Sequence, residues 1–157
     1  MPNPLAGTKF YARVGNLITR PLWSILPAPA GFGILTTVGR RSGKARRQSV
    51  RAIRDGDQVF VVCMMGDRAN WLRNIRACPE VTIRLGDRSL RGTARDIVDV
   101  AERQRAAEVY VGTTNASDYL DYAVYHWSVP TYRRVERAHR RWFDEGIPVV
   151  IELERGR

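Results

Sequence analysis

Two glycine-containing turns, each between β-prone segments, constrain the fold of this chain more than any other feature. The first turn, Asp55-Gly56, separates Gln48–Ile53 from Gln58–Met64, and the second, Gly86-Asp87, separates Val81–Leu85 from Ser89–Val98. Short turns of this composition between alternating or β-branched segments are typical of β-hairpins. Because no regular strand–helix–strand alternation accompanies them, the pattern predicts antiparallel strands and argues against a Rossmann domain.

Helical periodicity is found outside these hairpins. Residues Leu5–Leu26 carry apolar side chains at helical spacing, with a kink or stop expected at Pro21. Further helices are predicted at Asn70–Cys78, Val100–Val111, Ser117–Trp127 and Thr131–Asp144, and further strands at Gly33–Val38 and Pro148–Glu154. The expected fold class is α+β, with helices outside an antiparallel sheet or barrel. The length of 157 residues predicts a single domain, in which residues 1–27 form an amphipathic N-terminal helix and residues 30–157 the main unit.

The net charge of the chain indicates which classes of ligand it attracts. The formal net charge is +10, and only Lys9 and Lys44 are lysines. A strongly basic protein attracts anions, and arginine suits bidentate phosphate or carboxylate contacts, although a GC-rich genome produces the same bias. Cys63 and Cys78 are too few for a disulfide framework or a zinc cluster. Without a signal-peptide pattern or an apolar run near the ~18 residues of a membrane span, the chain is expected to be cytoplasmic.

The segment Gly39–Arg47 concentrates positive charge between two predicted strands. Five of the eight residues from Arg40 to Arg47 are cationic, and two glycines allow the backbone to turn and present N–H groups to an anion. The glycine spacing is one residue too short for a nucleotide-binding Walker A loop, and Ala45 stands where that loop needs serine or threonine. From charge alone, an anion site and a solvated basic hairpin loop remain open.

A second motif lies on the short predicted helix. Trp71 and Asn74 are three residues apart and therefore share one helical face. This pair could cover a flat ring and bond its edge, or it could be a core tryptophan beside a surface asparagine.

The order and spacing of these motifs resemble the deazaflavin-dependent nitroreductase family. The resemblance is carried by Leu35–Lys44 with Arg46, by Trp71, Asn74, Ala77 and Pro79, and by Ile147–Val150. It implies a split β-barrel related to flavin-mononucleotide-binding barrels, with an N-terminal helix and peripheral helices. It also implies coenzyme F420, a deazaflavin with a phospholactyl and oligoglutamate tail, as the donor of a hydride to a quinone, nitroaromatic or enone. The protein is then expected to supply binding and orientation.

The resemblance also implies a set of site residues. Arg40, Arg41, Lys44 and Arg46, with Ser42 and Gly43, are expected to hold the tail; Gln48 and Ser49 to run beside the ring; Cys63, Met64, Met65 and Gly66 to meet its edge; and Asn70, Trp71 and Asn74 to close over it. Pro130-Thr131-Tyr132 is similar to a Pro-x-Tyr element whose tyrosines line the acceptor pocket in that family. The proton that accompanies the hydride is therefore expected to come from a tyrosine hydroxyl such as that of Tyr132, or from water.

Several alternatives accompany this interpretation. The same fold could bind FMN, or carry F420 without turnover. A basic nucleic-acid-binding protein is a third hypothesis, but the arginines are dispersed and no recognition motif occurs, so only nonspecific affinity is expected. The N-terminal helix could contact a membrane surface, its own barrel or the partner in a homodimer. His126 and His139 have no metal-ligand spacing, and no metal is expected.

Overall fold

The computed structural model describes residues 26–155, apart from the side chain of Tyr125. The predicted N-terminal helix therefore lies outside the described residues except for Leu26. The described strands are β1 Phe32–Val38, β2 Ala45–Arg51, β3 Ile53–Asp55, β4 Gln58–Cys63, β5 Glu80–Leu85, β6 Arg88–Asp96 and β7 Ile147–Leu153. The described α-helices are α1 Asn70–Ala77, α2 Val100–Gly112, α3 Ala116–His126 and α4 Tyr132–Glu145, and a 3₁₀ turn covers Gly66–Arg68. Within the described residues, the predicted helices are confirmed to within a few residues at their ends, and the expected turns are found at Asp55-Gly56 and Gly86-Asp87.

The seven strands form one antiparallel sheet that curls into a split barrel. Their order is β2-β1-β5-β6-β7-β4-β3, so β2 and β3 lie at opposite ends of the sheet. Only Ala52 separates these two strands in sequence, and a flat sheet could not place both of its edges one residue apart. The sheet must therefore bend round on itself, as a barrel does.

This closure corrects one sequence prediction. The segment Gln48–Ile53 was expected to be a single strand that pairs with Gln58–Met64. Instead its first part pairs with β1, its last residue begins β3, and only β3 pairs with β4. The change of partner occurs at Ala52, whose N–H donates to the carbonyl of Gly31 at 2.9 Å and is thereby satisfied between the two ladders. A pattern of β-prone residues cannot reveal a change of partner strand.

Two hydrophobic clusters lie on the two faces of the curled sheet. The barrel interior is closed by alternate residues of the strands, such as Val59, Val61 and Val149, and by Leu72 and Ile75 of α1. On the outer face, Phe60, Val62 and Val150 pack against Tyr110 of α2 and Phe143 of α4. Because successive residues of a strand point to opposite faces, β4 serves both clusters and is buried along nearly its whole length. Helix α1 thus packs against the barrel interior, and α2 and α4 pack against the outer face of the sheet.

No helix among residues 26–155 is both long enough and apolar enough to cross a membrane.

Candidate functional site

A pocket of about 370 Å³ opens where the β1–β2 loop faces helix α1. It is lined by residues of that loop, the first half of β2 and the start of α1: Gly39, Arg40, Arg41, Ser42, Arg46, Arg47, Gln48, Asn70, Trp71 and Asn74. The volume is in the range of small-molecule sites. The structure therefore brings together the basic loop and the Trp-Asn helix, which are about thirty residues apart in the sequence.

The β1–β2 loop is a tight turn built on Gly39. The N–H of Gly39 donates to the carbonyl of Lys44 at 2.8 Å, and the carbonyl of Gly39 accepts from the N–H groups of Ser42 at 3.1 Å and Gly43 at 2.7 Å. A Cβ atom at Gly39 would lie 2.8 Å from Oγ of Ser42, so a larger residue would displace the turn. Gly43 adopts a φ of +67°, which favours glycine. The two glycines thus fix the direction in which the neighbouring cations project.

Asn74 connects this loop to helix α1. Its side chain is buried, its Nδ2 donates to Oγ1 of the buried Thr37 at 3.2 Å, and its Oδ1 accepts from the backbone N–H of Arg40 at 3.2 Å and from Nη1 of Arg40 at 3.1 Å. Oδ1 of Asn70 accepts from Nη1 of Arg40 at 3.3 Å. The two asparagines therefore hold a guanidinium at the pocket without neutralising it.

The cations of this region have no acidic partners within the described part of the chain. Among residues 26–155, no carboxylate forms an ion pair with Arg40, Arg41, Lys44, Arg46 or Arg47. Within the described part of the chain, the guanidinium of Arg46 has one long contact, 3.5 Å from Nη2 to Oγ of Ser42. Five exposed positive charges in and beside one pocket, with no acidic partner among residues 26–155, are well suited to bind a polyanion.

The structure places Trp71 at the pocket, and its expected role over a flat ring remains a prediction. The residue is partly buried against the barrel interior and also lines the pocket. Gln48 lines the pocket from β2, and its Nε2 donates to the carbonyl of Ser49 at 3.2 Å. An indole and an amide side chain therefore lie next to the basic loop.

The other expected cofactor contacts lie outside the pocket lining. Gly43 and Lys44 belong to the same loop, and Ser49 follows Gln48 on β2. Met64 is exposed, whereas Met65 packs on the barrel interior. Cys63 is buried, its Sγ donates to the carbonyl of Gly66 at 3.5 Å, and burial raises the pKa of the thiol to about 11. Its side chain belongs to the barrel interior, so only its backbone could meet a ligand.

Tyr132 occupies the first turn of α4 and is half exposed. Thr131 caps this helix by accepting from the N–H of Arg134 at 3.4 Å. Tyr132 is not among the residues that line the pocket. Its expected role at an acceptor site therefore remains a prediction.

Sequence reasoning missed a buried polar cluster on the other side of β2. Arg51 donates from Nε to Oδ1 of Asp118 at 3.0 Å, from Nη1 to the carbonyl of Tyr110 at 2.7 Å and from Nη2 to the carbonyl of Thr113 at 2.5 Å. The guanidinium also lies 4.3 Å from the centre of the Tyr110 ring. Arg51 thus joins the barrel to α2 and α3. A weak signal was available, because Arg51 directly follows the core residue Val50 and therefore points to the opposite, helix-covered face.

His139 belongs to this cluster, and the half-buried Asp121 follows Asp118 by three residues on α3. Nε2 of His139 lies 3.5 Å from Oδ1 of Asp118, while Nδ1 is buried with no hydrogen-bond partner among residues 26–155. Burial lowers the pKa of His139 to about 4, the Arg51 charge adds to this effect and Asp118 opposes it. Burial raises the pKa of Asp121 to about 6, with a further contribution from Asp118 and opposition from Arg51. His139 is therefore a neutral member of the core at neutral pH.

The fold of the described residues is an antiparallel split barrel with a pocket between the β1–β2 loop and α1. The sequence matches the F420H(2)-dependent quinone reductase family over residues 8–154, and the chain belongs to that family. Its enzymes take their reducing equivalents from reduced F420, as the family's description says. The resemblance found in the sequence is thus confirmed at the level of fold, reaction class and family.

Solved structures support the fold. An F420-H2 dependent reductase (FDR-A) is 24% identical, with 79% of this chain and 94% of that chain covered at a TM-score of 0.50. A domain-swapped dimer is 21% identical, with 90% and 97% covered at 0.54. The haem storage protein HutZ of Vibrio cholerae is 13% identical, with 81% and 84% covered at 0.53. At these identities the likeness establishes the split barrel, and the ligand must be argued from the site.

Proposed function

We propose that this chain binds reduced F420 in the pocket between the β1–β2 loop and α1, and transfers a hydride from it to a quinone. The observation that carries the proposal is the set of five cations without acidic partners in the described structure, Arg40, Arg41, Lys44, Arg46 and Arg47. An isolated cation cluster of this size costs stability through self-repulsion and is best explained by a bound polyanion.

The number of charges favours F420 over FMN. A phosphate monoester carries about two negative charges near neutral pH. Two arginines could satisfy it, which would leave three cations of the loop without a partner. A phospholactyl group followed by glutamate carboxylates would engage them all, and each charge-assisted hydrogen bond contributes about 1.5–3 kcal/mol.

The protein's part in the reaction is to bind and orient. When bound, the deazaflavin supplies the hydride. The Thr37–Asn74–Arg40 chain of hydrogen bonds holds one tail-binding guanidinium in place, and Trp71 offers an apolar wall. Reduction of a quinone to a hydroquinone consumes one hydride and one proton. Tyr132 is the proposed donor of that proton. Because the residue is half exposed, water can return a proton to its hydroxyl after the reaction.

Anaerobic mixing of the protein with reduced F420 and a soluble quinone tests this function. The return of oxidised deazaflavin absorbance should require the protein and should be faster with a quinone than with a nitroaromatic or an enone. Parallel reactions with reduced FMN should show little protein dependence. Turnover with FMN and none with F420 would contradict the assignment, and binding without turnover of any acceptor would indicate a carrier.

Replacement of Tyr132 by phenylalanine tests the acceptor side. Tyr132→Phe retains the ring and removes the hydroxyl, so the affinity for F420 should not change. Turnover should fall, with a general acid's usual contribution of roughly 10²–10⁴-fold as the upper limit. If the variant reduces every accepted substrate at the parent rate, the hydroxyl donates no proton.

A further inference from the structure

The hairpin formed by α3 and α4 ends in a cluster of exposed apolar side chains, named here the α3–α4 tip. It consists of Val124, Trp127 and Val129, whose exposed fractions are 55%, 84% and 72%. Single exposed apolar residues are common on protein surfaces, but a group that includes the largest side chain calls for an explanation. These three residues belong to neither hydrophobic cluster of the barrel.

The backbone at the tip makes Trp127 more unusual. Trp127 ends helix α3 in the left-handed region, with φ +49° and ψ +40°. Among residues 26–155 it is the one residue other than glycine with a positive φ. Glycine is the usual residue there, because a bulky side chain is strained in this conformation. Neither backbone preference nor packing within residues 26–155 explains the tryptophan, so its side chain is better explained by a contact outside the described residues.

The charges beside the tip indicate the partner. Arg133 and Arg137 are exposed on α4, and no acidic side chain of the described residues forms an ion pair with them. Arg134 is held at the tip by neutral groups, since its Nη1 donates to Oγ of Ser128 and to the carbonyl of Val129, both at 2.9 Å. A second copy of this chain would bring like charges together, whereas an anionic surface would attract them.

We propose that the α3–α4 tip binds the surface of an anionic lipid bilayer. Trp127 and Val129 enter the boundary between headgroups and acyl chains, and Arg133, Arg134 and Arg137 contact anionic headgroups. Aromatic and aliphatic side chains flanked by arginines are typical of surfaces that lie in this interface, where tryptophan is enriched. The proposal is independent of the proposed cofactor, because lipid binding can be measured without it.

Co-sedimentation of the full chain with vesicles tests the proposal. The parent should bind vesicles of phosphatidylcholine mixed with phosphatidylglycerol, and should bind pure phosphatidylcholine much more weakly. The informative variant is Trp127→Gly, because glycine suits the left-handed backbone and should leave the melting temperature unchanged or raise it. Vesicle affinity should nevertheless fall by roughly tenfold or more. The double variant Arg133→Gln/Arg137→Gln should weaken binding to the anionic vesicles alone.

The chain provides a matched control at another apolar site. Val98 and Val100 are 85% and 80% exposed and lie before and at the start of α2. The double variant Val98→Ser/Val100→Ser removes apolar surface without touching the tip and should bind vesicles like the parent. The proposal is wrong if the parent does not bind anionic vesicles, or if Trp127→Gly binds them as tightly as the parent, which would assign binding to residues 1–25. It is also wrong if Trp127→Gly converts a dimer into a monomer with vesicle binding unchanged, since the tip would then join two copies.

Discussion

Strand β2 carries three arginines, and two of them, Arg46 and Arg51, lie five residues apart and have opposite surroundings. Arg46 lies at an exposed pocket with one long contact to a serine hydroxyl. Arg51 is buried, and its guanidinium bonds a carboxylate and two carbonyls. Charge transferred into a protein interior is stable only when it is fully paired, whereas an exposed charge needs no partner.

The difference shows how structural and ligand-binding cations can be told apart in a basic protein. Arg51 has partners in its own chain and therefore contributes to folding. Arg46 and the neighbouring loop cations have no acidic partners among the described residues, and their charge can therefore be neutralised by a ligand. The two regions should respond differently to the same substitution, and the following predictions test that difference, from the largest expected effect to the smallest.

Replacement of the buried arginine should have the largest effect on stability. Arg51→Met leaves Asp118 buried without its ion-pair partner, which typically costs about 3–5 kcal/mol. Urea unfolding should show this loss. The same measurement on Arg46→Ala is the matched control, and its free energy of unfolding should stay within about 0.5 kcal/mol of the parent's. Equal losses in the two variants would show that the pocket cations are also structural.

Two groups near Asp118 should change the free energy of unfolding with pH in opposite directions. The pKa of His139 is about 4 against an ordinary 6.5, so acidification between these values favours the unfolded chain, which takes up the proton first. The pKa of Asp121 is about 6 against an ordinary 3.8, so acidification over nearly the same interval favours the folded chain. The two effects have opposite signs and largely cancel in the parent.

When one of these two groups is replaced, the pH dependence of stability that the other causes should become measurable. Relative to the parent, Asp121→Asn should lose roughly 2–3 kcal/mol of stability between pH 7 and pH 4, and His139→Gln should gain a similar amount. Thermal unfolding across this range measures both. Parallel profiles for the parent and the two variants would mean that neither group titrates as its surroundings require.

The smallest effect is expected from the hydrogen bond that supports Arg40. Thr37→Val keeps the volume and removes the acceptor for Nδ2 of Asn74, at a cost of about 1 kcal/mol. The affinity for F420 should fall several-fold, because Arg40 keeps its charge but loses part of its support. Thr36→Val, on the opposite face of β1, is the control and should leave the affinity unchanged in a fluorescence titration. An affinity change of equal size in both variants would remove the case for a positioning role.

The sequence predicted the elements of the fold well because the turns at Gly56 and Gly86 are local signals, each with a φ of +59°. It could not predict that the strand ending at Arg51 changes partner at Ala52, since that depends on contacts far along the chain. The basic loop and Trp71 were found by motif. The structural role of Asn74 was not, because an asparagine on a helix gives no indication that Thr37 and Arg40 lie beside it. The pairing of Arg51 with Asp118 spans 67 residues, and no local pattern reveals it.

The central claim is that the cations around the pocket bind the anionic tail of F420, and a comparison of ligands tests it most directly. F420 with its glutamate tail, the same deazaflavin without phosphate and tail, and FMN are titrated against the parent and Arg46→Ala at two salt concentrations. The full cofactor should bind most tightly to the parent, more weakly at high salt, and roughly 10- to 150-fold more weakly to Arg46→Ala. The tailless ring should not distinguish the parent from the variant. Equal affinity of the parent for F420 and the tailless ring, unaffected by salt, would contradict the account.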